Sequence, residues 1–350
     1  VLRARWQAGR YTAGKSLLLS GEPGIGKTRL ARELRLQATR DGANVWLVRC
    51  VAHQIHSPFA PLAQLLAGAL GVAPTAPPAE RLAGLTQLLA GVGMTDAAAL
   101  APLAALLGLQ LPAAHAALPL SAQAQRERTF AAGTAVVRAG AALRPTLLIV
   151  EDLHWADPTT LEWLSRLTSQ PLDPGFMLLL TARSEFAPHW AGDGRLERLA
   201  LEPCAPTQAR ALVHALDRGR ALDEHAVARI VARAEGNPLF LEELTRCALE
   251  TGGEEIPATL QAQTLARLDR LGPAKQVLQQ AAVIGRKFGL GRLRAVSGLD
   301  DGSLTAALQR GVDAHMLTPL SEGGGESFAF RHALLQDAAY DSMLRSARQA

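Results

Sequence analysis

Residues 16–28 read SLLLSGEPGIGKT, an apolar run followed directly by a glycine-rich loop that ends in lysine and threonine. The apolar run predicts a buried strand, and the glycines at 21, 24 and 26 allow the positive φ angles that let backbone N–H groups converge on an anion. The helix expected next would point the positive end of its dipole at the same place. The sequence therefore predicts an α/β domain with a phosphate-binding loop between a strand and a helix.

The side chains of this loop indicate a nucleotide with a bound metal ion. Lys27 is expected to place its charge on the β- and γ-phosphates of ATP or ADP, and the hydroxyl of Thr28 to bind Mg²⁺. A glycine-rich turn that binds nothing is the alternative, but turn formation gives no reason for a lysine and a threonine at these positions. The candidate nucleotide contacts in the loop are Gly21, Glu22, Pro23, Gly24, Ile25, Gly26, Lys27, Thr28 and Arg29.

A second apolar run, Leu147–Val150, is followed by Glu151 and Asp152. An all-apolar run of this length suits a strand buried on both faces of a parallel sheet, and its acids would then emerge at the edge that carries the phosphate loop. We expect these two acids to hold Mg²⁺, mainly through water, and to orient the attacking water. The alternative is a strand that ends in a solvated acidic turn. Farther on, Asp157 is expected to cap a helix that has Pro158 in its first turn.

A third run, Phe176–Thr181, leads into Arg183. If this strand lies beside the acidic one, Thr181 and Arg183 emerge near the γ-phosphate, and Arg183 can sense whether that group is present. Arg183 can equally be a rim arginine paired with Glu185. Both interpretations stay open at this point.

The rest of the first 202 residues reads as further strands and helices. Strands are predicted at 44–50 and 198–201, and the Ala- and Leu-rich stretch 58–143 is predicted to be mostly helical. Within it, 72–80 reads as a proline-rich linker and 123–142 as one helix returning to the sheet.

Composition limits the classes of protein to consider. The chain has 350 residues, 48% of them hydrophobic, and a formal net charge of +4, which predicts a globular protein without a strong field for nucleic acid or membrane. Its three cysteines are widely separated, which indicates neither a disulfide framework nor a zinc site. With no signal peptide and no apolar run long enough for a membrane span, we expect a cytoplasmic location. The helical pattern at 1–6 begins without a cap, and the one at 345–350 runs to the last residue. Both indicate a fragment of a longer protein.

Six stretches of the chain resemble the STAND-class branch of P-loop ATPases, which is AAA+-like, and they occur in the family's order. More narrowly, they are similar to the ATPase module that follows class III adenylate/guanylate cyclase domains and to that of large LuxR-type ATP-binding regulators. The likeness covers nearly the whole chain. The stretches are LLLSGEPGIGKTRLARELR, LLIVEDLHWADPTTLEWL, MLLLTARSE, AEGNPLFLEEL, IPATLQAQTLARLDRL and FAFRHALLQDAAYDSML.

The resemblance implies three domains. They are a P-loop nucleotide-binding domain at 1–202, a helical lid at 203–255 and a winged-helix domain at 256–350. The residues agree independently with these boundaries, because prolines at 203–206 and glycines at 252–257 break the chain there.

The resemblance also implies two nucleotide contacts outside the first domain. Pro238 would pack near adenine, and His332 would reach the β-phosphate and lock the ADP state. The residues alone allow plainer interpretations, a helix stop and restart around Pro238 and a packed core histidine at 332. The chain departs from the pattern at Glu151, where many P-loop ATPases have Asp, and it lacks the segment that normally precedes Val1. It also lacks a guanine-reading motif, which favours ATP over GTP.

These patterns together predict a slow, Mg²⁺-dependent ATPase that acts as a signalling switch. The expected partners are an attached effector domain, either a cyclase or a DNA-binding domain, sensor repeats outside the fragment, and further copies of the chain in a nucleotide-dependent way. One alternative is a transcription-regulating or replication-initiator-like ATPase that binds DNA through Arg286, Lys287, Arg292 and Arg294 of its winged helix. Against it, residues 256–350 hold eleven Lys/Arg and eight Asp/Glu, a surplus too small for a phosphate-tracking surface. A non-hydrolysing scaffold is the other alternative.

Overall fold

The computed structural model describes residues 1–343 apart from residues 10, 11, 13, 74, 96, 112–120, 193, 218–221, 251–264, 266, 321–325 and 332. It divides into two units, the first made of Val1–Glu22 and Gly26–Glu202, the second of Pro23–Ile25 and the chain from Pro203 onward. The predicted division into three domains stays a prediction, since its boundary at 255/256 lies outside the described residues, as do the linker at 252–257 and the helix at 345–350.

The first unit is built on a parallel sheet with the strand order β2-β3-β4-β1-β5, so the predicted α/β class and parallel sheet are confirmed. β4 lies between β3 and β1, so the carboxyl ends of the strands that carry the acids, the arginine and the loop meet at one edge. The strands are β1 (Lys15–Ser20), β2 (Asn44–Arg49), β3 (Thr146–Glu151), β4 (Phe176–Ala182) and β5 (Leu196–Ala200).

The central strands are apolar throughout because both faces of the sheet are covered. Every residue of β3 and β4 is buried. Side chains alternate between faces along a strand, so Leu148 and Leu180 pack in one core while Ile149 and Leu179 pack in another. This packing fixes the level at which each strand ends, and hence the position of the residues that follow.

Seven helices surround the described part of this sheet. They are α1 (Leu2–Gly9), α2 (Lys27–Arg40), α3 (Ala60–Ala69), α4 (Pro78–Gly91), α5 (Ala97–Leu106), α6 (Ala122–Leu143) and α7 (Pro158–Ser169). The predicted linker at 72–80 is wrong over its last three residues, because α4 begins at Pro78. A proline suits the first position of a helix, where its missing N–H would have no partner in any case.

Helix α7 begins as the sequence predicts. Oδ1 of Asp157 accepts hydrogen bonds from the backbone N–H groups of Thr159 and Thr160, both at 3.0 Å. Trp163 is 2% exposed and its Nε1 donates to Thr134 Oγ1 at 3.2 Å, so it is a core residue. The cap and this tryptophan fix the helix directly after the acids.

The second unit contains two separate hydrophobic cores. Helices α8 (Pro206–Asp217), α9 (Glu224–Ala234) and α10 (Pro238–Glu250) share the first core. The second core is enclosed by helices and by a three-stranded antiparallel sheet of order β6-β8-β7. Its elements are α11 (Ala274–Ile284), β6 (Lys287–Gly289), α12 (Leu290–Ser297), α13 (Asp301–Asp313), β7 (Leu317–Leu320), β8 (Ser327–Phe330) and α14 (Ala333–Asp341).

The sequence indicates neither a disulfide framework nor a membrane span, and the cysteines and helices of the structure bear on both. The three cysteines, Cys50, Cys204 and Cys247, form no disulfide. Over the described residues, none of the helices combines the length and the apolar character that a bilayer crossing needs.

Candidate functional site

The glycine-rich loop adopts the backbone that its glycines predict. Gly24 and Gly26 have φ angles of +84° and +106°, and Gly26 is the residue from which α2 starts. Lys27 is buried, and its Nζ donates hydrogen bonds to the backbone carbonyls of Gly21 at 2.6 Å and Glu22 at 2.9 Å. The ammonium group is therefore held inside the loop, at the N-terminus of a helix, where an anion is favoured.

The charges around Lys27 come from the other two strand ends. Burial lowers the pKa of Lys27, while the carboxylates of Asp152 and Glu22 act in the opposite direction and the charge of Arg183 adds to the lowering. β4 pairs in register with both β1 and β3, so the residues that follow these strands, the loop with Lys27, Asp152 and Arg183, lie at the same carboxyl edge of the sheet.

The acids lie in a tight turn after β3. Asp152 has a left-handed backbone with φ of 60°, and the 3₁₀ turn Leu153–Trp155 follows it. The backbone N–H of Asp152 donates to Thr181 Oγ1 of β4 at 3.0 Å. This bond fastens the acidic turn to the neighbouring strand, and it gives Thr181 a role that the sequence did not predict.

The two adjacent acids have different surroundings. The Glu151 side chain is 4% exposed, and its Oε2 accepts hydrogen bonds from Nε and Nη2 of Arg49 at 3.0 and 2.5 Å. Arg49 is the last residue of β2 and lies opposite Glu151 in the strand register. Asp152 is thus the acid coupled to Lys27, and Glu151 is the acid held by Arg49. Sequence reasoning missed Arg49, since its partner is evident only from the register.

His154 is a second residue that sequence reasoning missed. Its Nδ1 is buried and has no hydrogen-bond partner among the described residues. Burial, reinforced by the positive charges of Arg183 and Lys27, lowers the pKa of His154 to about 4, so its imidazole is neutral at pH 7. The available signal was its place in the sequence, two residues after Asp152.

Arg183 shows the rim pairing that the sequence offers, and it also lies near Lys27. Its Nη1 lies 4.0 Å from Glu185 Oε1, which is the rim pairing. Its guanidinium carbon also lies 5.7 Å from the centre of the Trp155 ring, and its charge acts on Lys27. The next residue, Ser184, donates a hydrogen bond to the Glu22 carboxylate of the loop. The exposed Arg29 follows the loop on α2.

The oxygen groups of this edge suit a magnesium ion that is also bound by phosphate and water. Thr28 supplies a hydroxyl and Asp152 a carboxylate, which are ligands that Mg²⁺ prefers. Across the described ranges, no three His, Cys, Asp or Glu side chains gather into a metal-binding cluster.

Of the two residues outside the first 202 that are predicted to contact the nucleotide, the structure describes Pro238 only, and both contacts stay predictions. Pro238 is the first residue of α10, and within the second unit the side chain of Asn237 donates to the carbonyl of Pro23 at 2.9 Å. A Cβ at Gly24 would lie 2.8 Å from Asn237 Oδ1, so glycine is needed there for the close approach as well as for its φ angle. His332 lies outside the described residues.

Comparisons with known proteins agree with this arrangement. Residues 2–180, just over half of the chain, match the AAA ATPase domain. The uncharacterized protein R02095 of Rhizobium meliloti (strain 1021) is 27% identical over 98% of this chain, which spans only 34% of that protein.

A solved structure shows a similar fold over nearly the whole chain. It is PH0952 from Pyrococcus horikoshii, a Signal Transduction ATPase with Numerous Domains (STAND) protein with a tetratricopeptide repeat sensor. The TM-score is 0.55 at 12% identity, and the match covers 98% of this chain and 42% of that one. With its loop, its acidic strand and its parallel sheet, the chain belongs to the AAA ATPase domain family and is a P-loop ATPase of that type.

Proposed function

We propose that this chain binds ATP and hydrolyses it slowly with Mg²⁺, and that it is the switch module of a longer signalling protein. The observation that carries the proposal is that Lys27, Asp152, His154 and Arg183 all follow the carboxyl ends of the three neighbouring strands β1, β3 and β4. Two cations beside a phosphate-binding loop match the negative charge of a polyphosphate, and the acid matches a metal ion.

Each residue has a role that follows from its surroundings. The N–H groups of the loop and Lys27 bind the β- and γ-phosphates, and Arg183 contacts the γ-phosphate. Thr28 and Asp152 would hold Mg²⁺, which supplies positive charge to the phosphate oxygens when bound. Neutral His154 can accept a hydrogen bond from the attacking water. Because Arg49 already neutralises Glu151, that acid supports Asp152 rather than replacing it.

The switch role concerns the rest of the protein. The chain spans about a third of the length of the curated relative, so the relative has room for further domains outside the matched part. In the proposed cycle, ADP holds a helical lid and a winged-helix domain closed, with Pro238 and His332 at the nucleotide, and ATP rearranges them. The attached output domain, a cyclase or a DNA-binding domain, responds, with sensor repeats and self-association as inputs. A ligand can drive this change only through contacts that differ between the states.

Nucleotide binding is tested by replacing Lys27. In the Lys27→Ala variant, we expect ATP to bind about 10- to 100-fold more weakly, since a charged hydrogen bond contributes about 1.5–3 kcal/mol. Lys15→Ala is the matched control, because Lys15 starts the strand whose other end leads into the loop. Titration with a fluorescent ATP analogue measures both variants. Equal affinity of Lys27→Ala and the parent chain would overturn the site.

Hydrolysis is tested separately from binding. Asp152→Asn should still bind ATP but release phosphate about 100-fold more slowly, the order of effect that a positioned acid–base or electrostatic group provides. Glu151→Gln should lose less, because its acid is shared with Arg49. If the parent chain binds ATP and releases no phosphate, the scaffold alternative is correct.

The DNA-binding alternative stays a prediction. Nε of Arg294, one of the four basic residues assigned to it, lies 2.7 Å from Oδ1 of Asp301. A gel-shift experiment at several salt concentrations tests this alternative. Binding that weakens steeply with salt, and that is lost when all four residues are neutralised, would support it.

A further inference from the structure

The guanidinium group of Arg183 lies near other groups that can carry positive charge. Its charge is close enough to Lys27 and His154 to lower the pKa of both, and like charges repel. Among the residues that the structure describes, Arg183 forms one ion pair, which is long, 4.0 Å to a Glu185 side chain that is 66% exposed. Exposed pairs of this kind contribute little. The pairing with Glu185 is therefore a weak restraint on the guanidinium group.

The indole ring of Trp155 provides a second restraint. The guanidinium carbon of Arg183 lies 5.7 Å from the ring centre, within the range of a cation–π interaction, and tryptophan is the best aromatic partner for it. Trp155 is half-buried and packs against the larger core of the first unit. Its ring is also 5.2 Å from that of His154, at an angle of 46°. One part of the ring is thus anchored in the core.

The backbone joins this ring to the acidic turn. The N–H of Trp155 donates to the carbonyl of Asp152 at 2.8 Å, and the N–H of Asp152 donates to Thr181 Oγ1. Thr181 is two residues before Arg183 on the same chain segment. The arginine, the tryptophan and the acid therefore belong to one closed loop of contacts, so the ring has a fixed position relative to both charges.

We propose that Trp155 is a positioning residue, which holds the Arg183 guanidinium on its ring so that the site distinguishes a nucleoside triphosphate from a diphosphate. The inference rests on the proposed function and deepens it, since it assigns the basis of discrimination between ATP and ADP. Arg183 contacts the additional phosphate, and Trp155 acts only through Arg183. Its removal should then weaken binding of the triphosphate alone.

The test compares two nucleotides in the full parent chain and in its variants. Dissociation constants for ADP and for a slowly hydrolysed γ-thio analogue of ATP are measured side by side with Mg²⁺. We expect Trp155→Leu to bind the triphosphate analogue about three- to tenfold more weakly, the range of a partly exposed cation–π contact, with ADP unchanged. Trp155→Phe keeps an aromatic face and should recover most of the preference, and it serves if the leucine variant does not fold.

A double variant separates positioning from an independent effect. If Trp155 works through Arg183, Trp155→Leu with Arg183→Ala should lose no more discrimination than Arg183→Ala alone. Additive losses, equal losses for both nucleotides, or an unchanged preference in Trp155→Leu would each overturn this role while the parent still binds ATP. Absence of nucleotide binding in the parent would instead overturn the proposed function itself.

Discussion

Glu151 and Glu243 are almost equally buried, at 3% and 2% exposed, but their carboxylates are engaged differently. Glu151, at the edge of the parallel sheet, receives both of its described hydrogen bonds at Oε2, from Arg49. Glu243, on α10 in the second unit, uses both oxygens. Its Oε1 accepts from Arg246 at 3.0 Å and its Oε2 from Arg267 at 2.5 Å.

The two acids therefore differ in how many of their oxygens arginines hold. Arg267 also donates to the carbonyl of Ala314 at 2.6 Å, and Arg246 also bonds Glu242 at 3.0 Å, so Glu243 lies in a chain of linked contacts. The hydrogen bonds from Arg49 reach Oε2 of Glu151 alone, and Glu151 ends its strand at the sheet edge that carries the phosphate loop. Two acids of almost equal burial can thus be held by different numbers of partners.

The largest loss of unfolding free energy is expected in the network around Glu243. Glu243→Ala removes one carboxylate partner from each of two arginines, whose side chains are only 17% and 12% exposed. Breaking such a buried pair costs about 3–5 kcal/mol of unfolding free energy. Urea unfolding of the variant and the parent measures it. A loss below about 1 kcal/mol would show that water reaches these arginines and would remove the contrast with Glu151.

A smaller loss is expected at the sheet edge. Glu151→Gln keeps an oxygen that can accept from Arg49, so the expected loss of unfolding free energy is about 1–2 kcal/mol. The matched comparison is Glu243→Gln, in which the amide replaces an oxygen that accepts a charged hydrogen bond. Equal losses in the two glutamine variants would mean that both acids are structural.

The next effect depends on pH and concerns the neighbour of the acidic turn. The folded pKa of His154 is about 4 and its ordinary value is 6.5, so between these values the unfolded chain takes up the proton first. Stability should therefore fall as the pH is lowered from about 6.5 toward 4, by about 1 kcal/mol at pH 5 after allowance for solvent screening. His154→Asn lacks this component. Identical pH profiles for the variant and the parent would place His154 in water.

The smallest loss of unfolding free energy is expected at an exposed network in which one arginine likewise bonds several acidic side-chain oxygens. Arg166 bonds Glu127 at 2.5 and 2.9 Å and Glu162 at 2.7 Å, but the side chains of Arg166 and Glu127 are 43% and 48% exposed. Arg166→Ala should cost about 1 kcal/mol or less. A loss comparable with that of Glu243→Ala would show that the number of partners matters more than burial.

The sequence was most informative where one segment determines its own structure. The loop at 21–28, the strands of the sheet and the cap at Asp157 all follow from local residue types. The pairing of Glu151 with Arg49 could not be predicted, because it depends on the register of two strands. The two residues are 102 positions apart in the sequence. The network around Glu243 likewise joins residues from separate helices.

Other features were visible in the sequence but not interpretable there. His154 and Trp155 are in the quoted acidic stretch, yet their placement depends on the backbone of Asp152 and on the 3₁₀ turn that follows. The proline cluster at 72–80 was misread, because a proline ends one helix and begins another equally well. The lid and winged-helix assignments stay predictions.

The left-handed backbone at Asp152 has a consequence for any saturation library at this position. Only glycine, asparagine and aspartate adopt that conformation readily, while valine or isoleucine would be strained by it. Variants would therefore be selected twice, first by whether residue 152 can adopt the left-handed backbone and then by whether its side chain can bind a metal ion. Glycine and asparagine should pass the first selection and fail the second, so abundance and turnover would sort the same library in different orders.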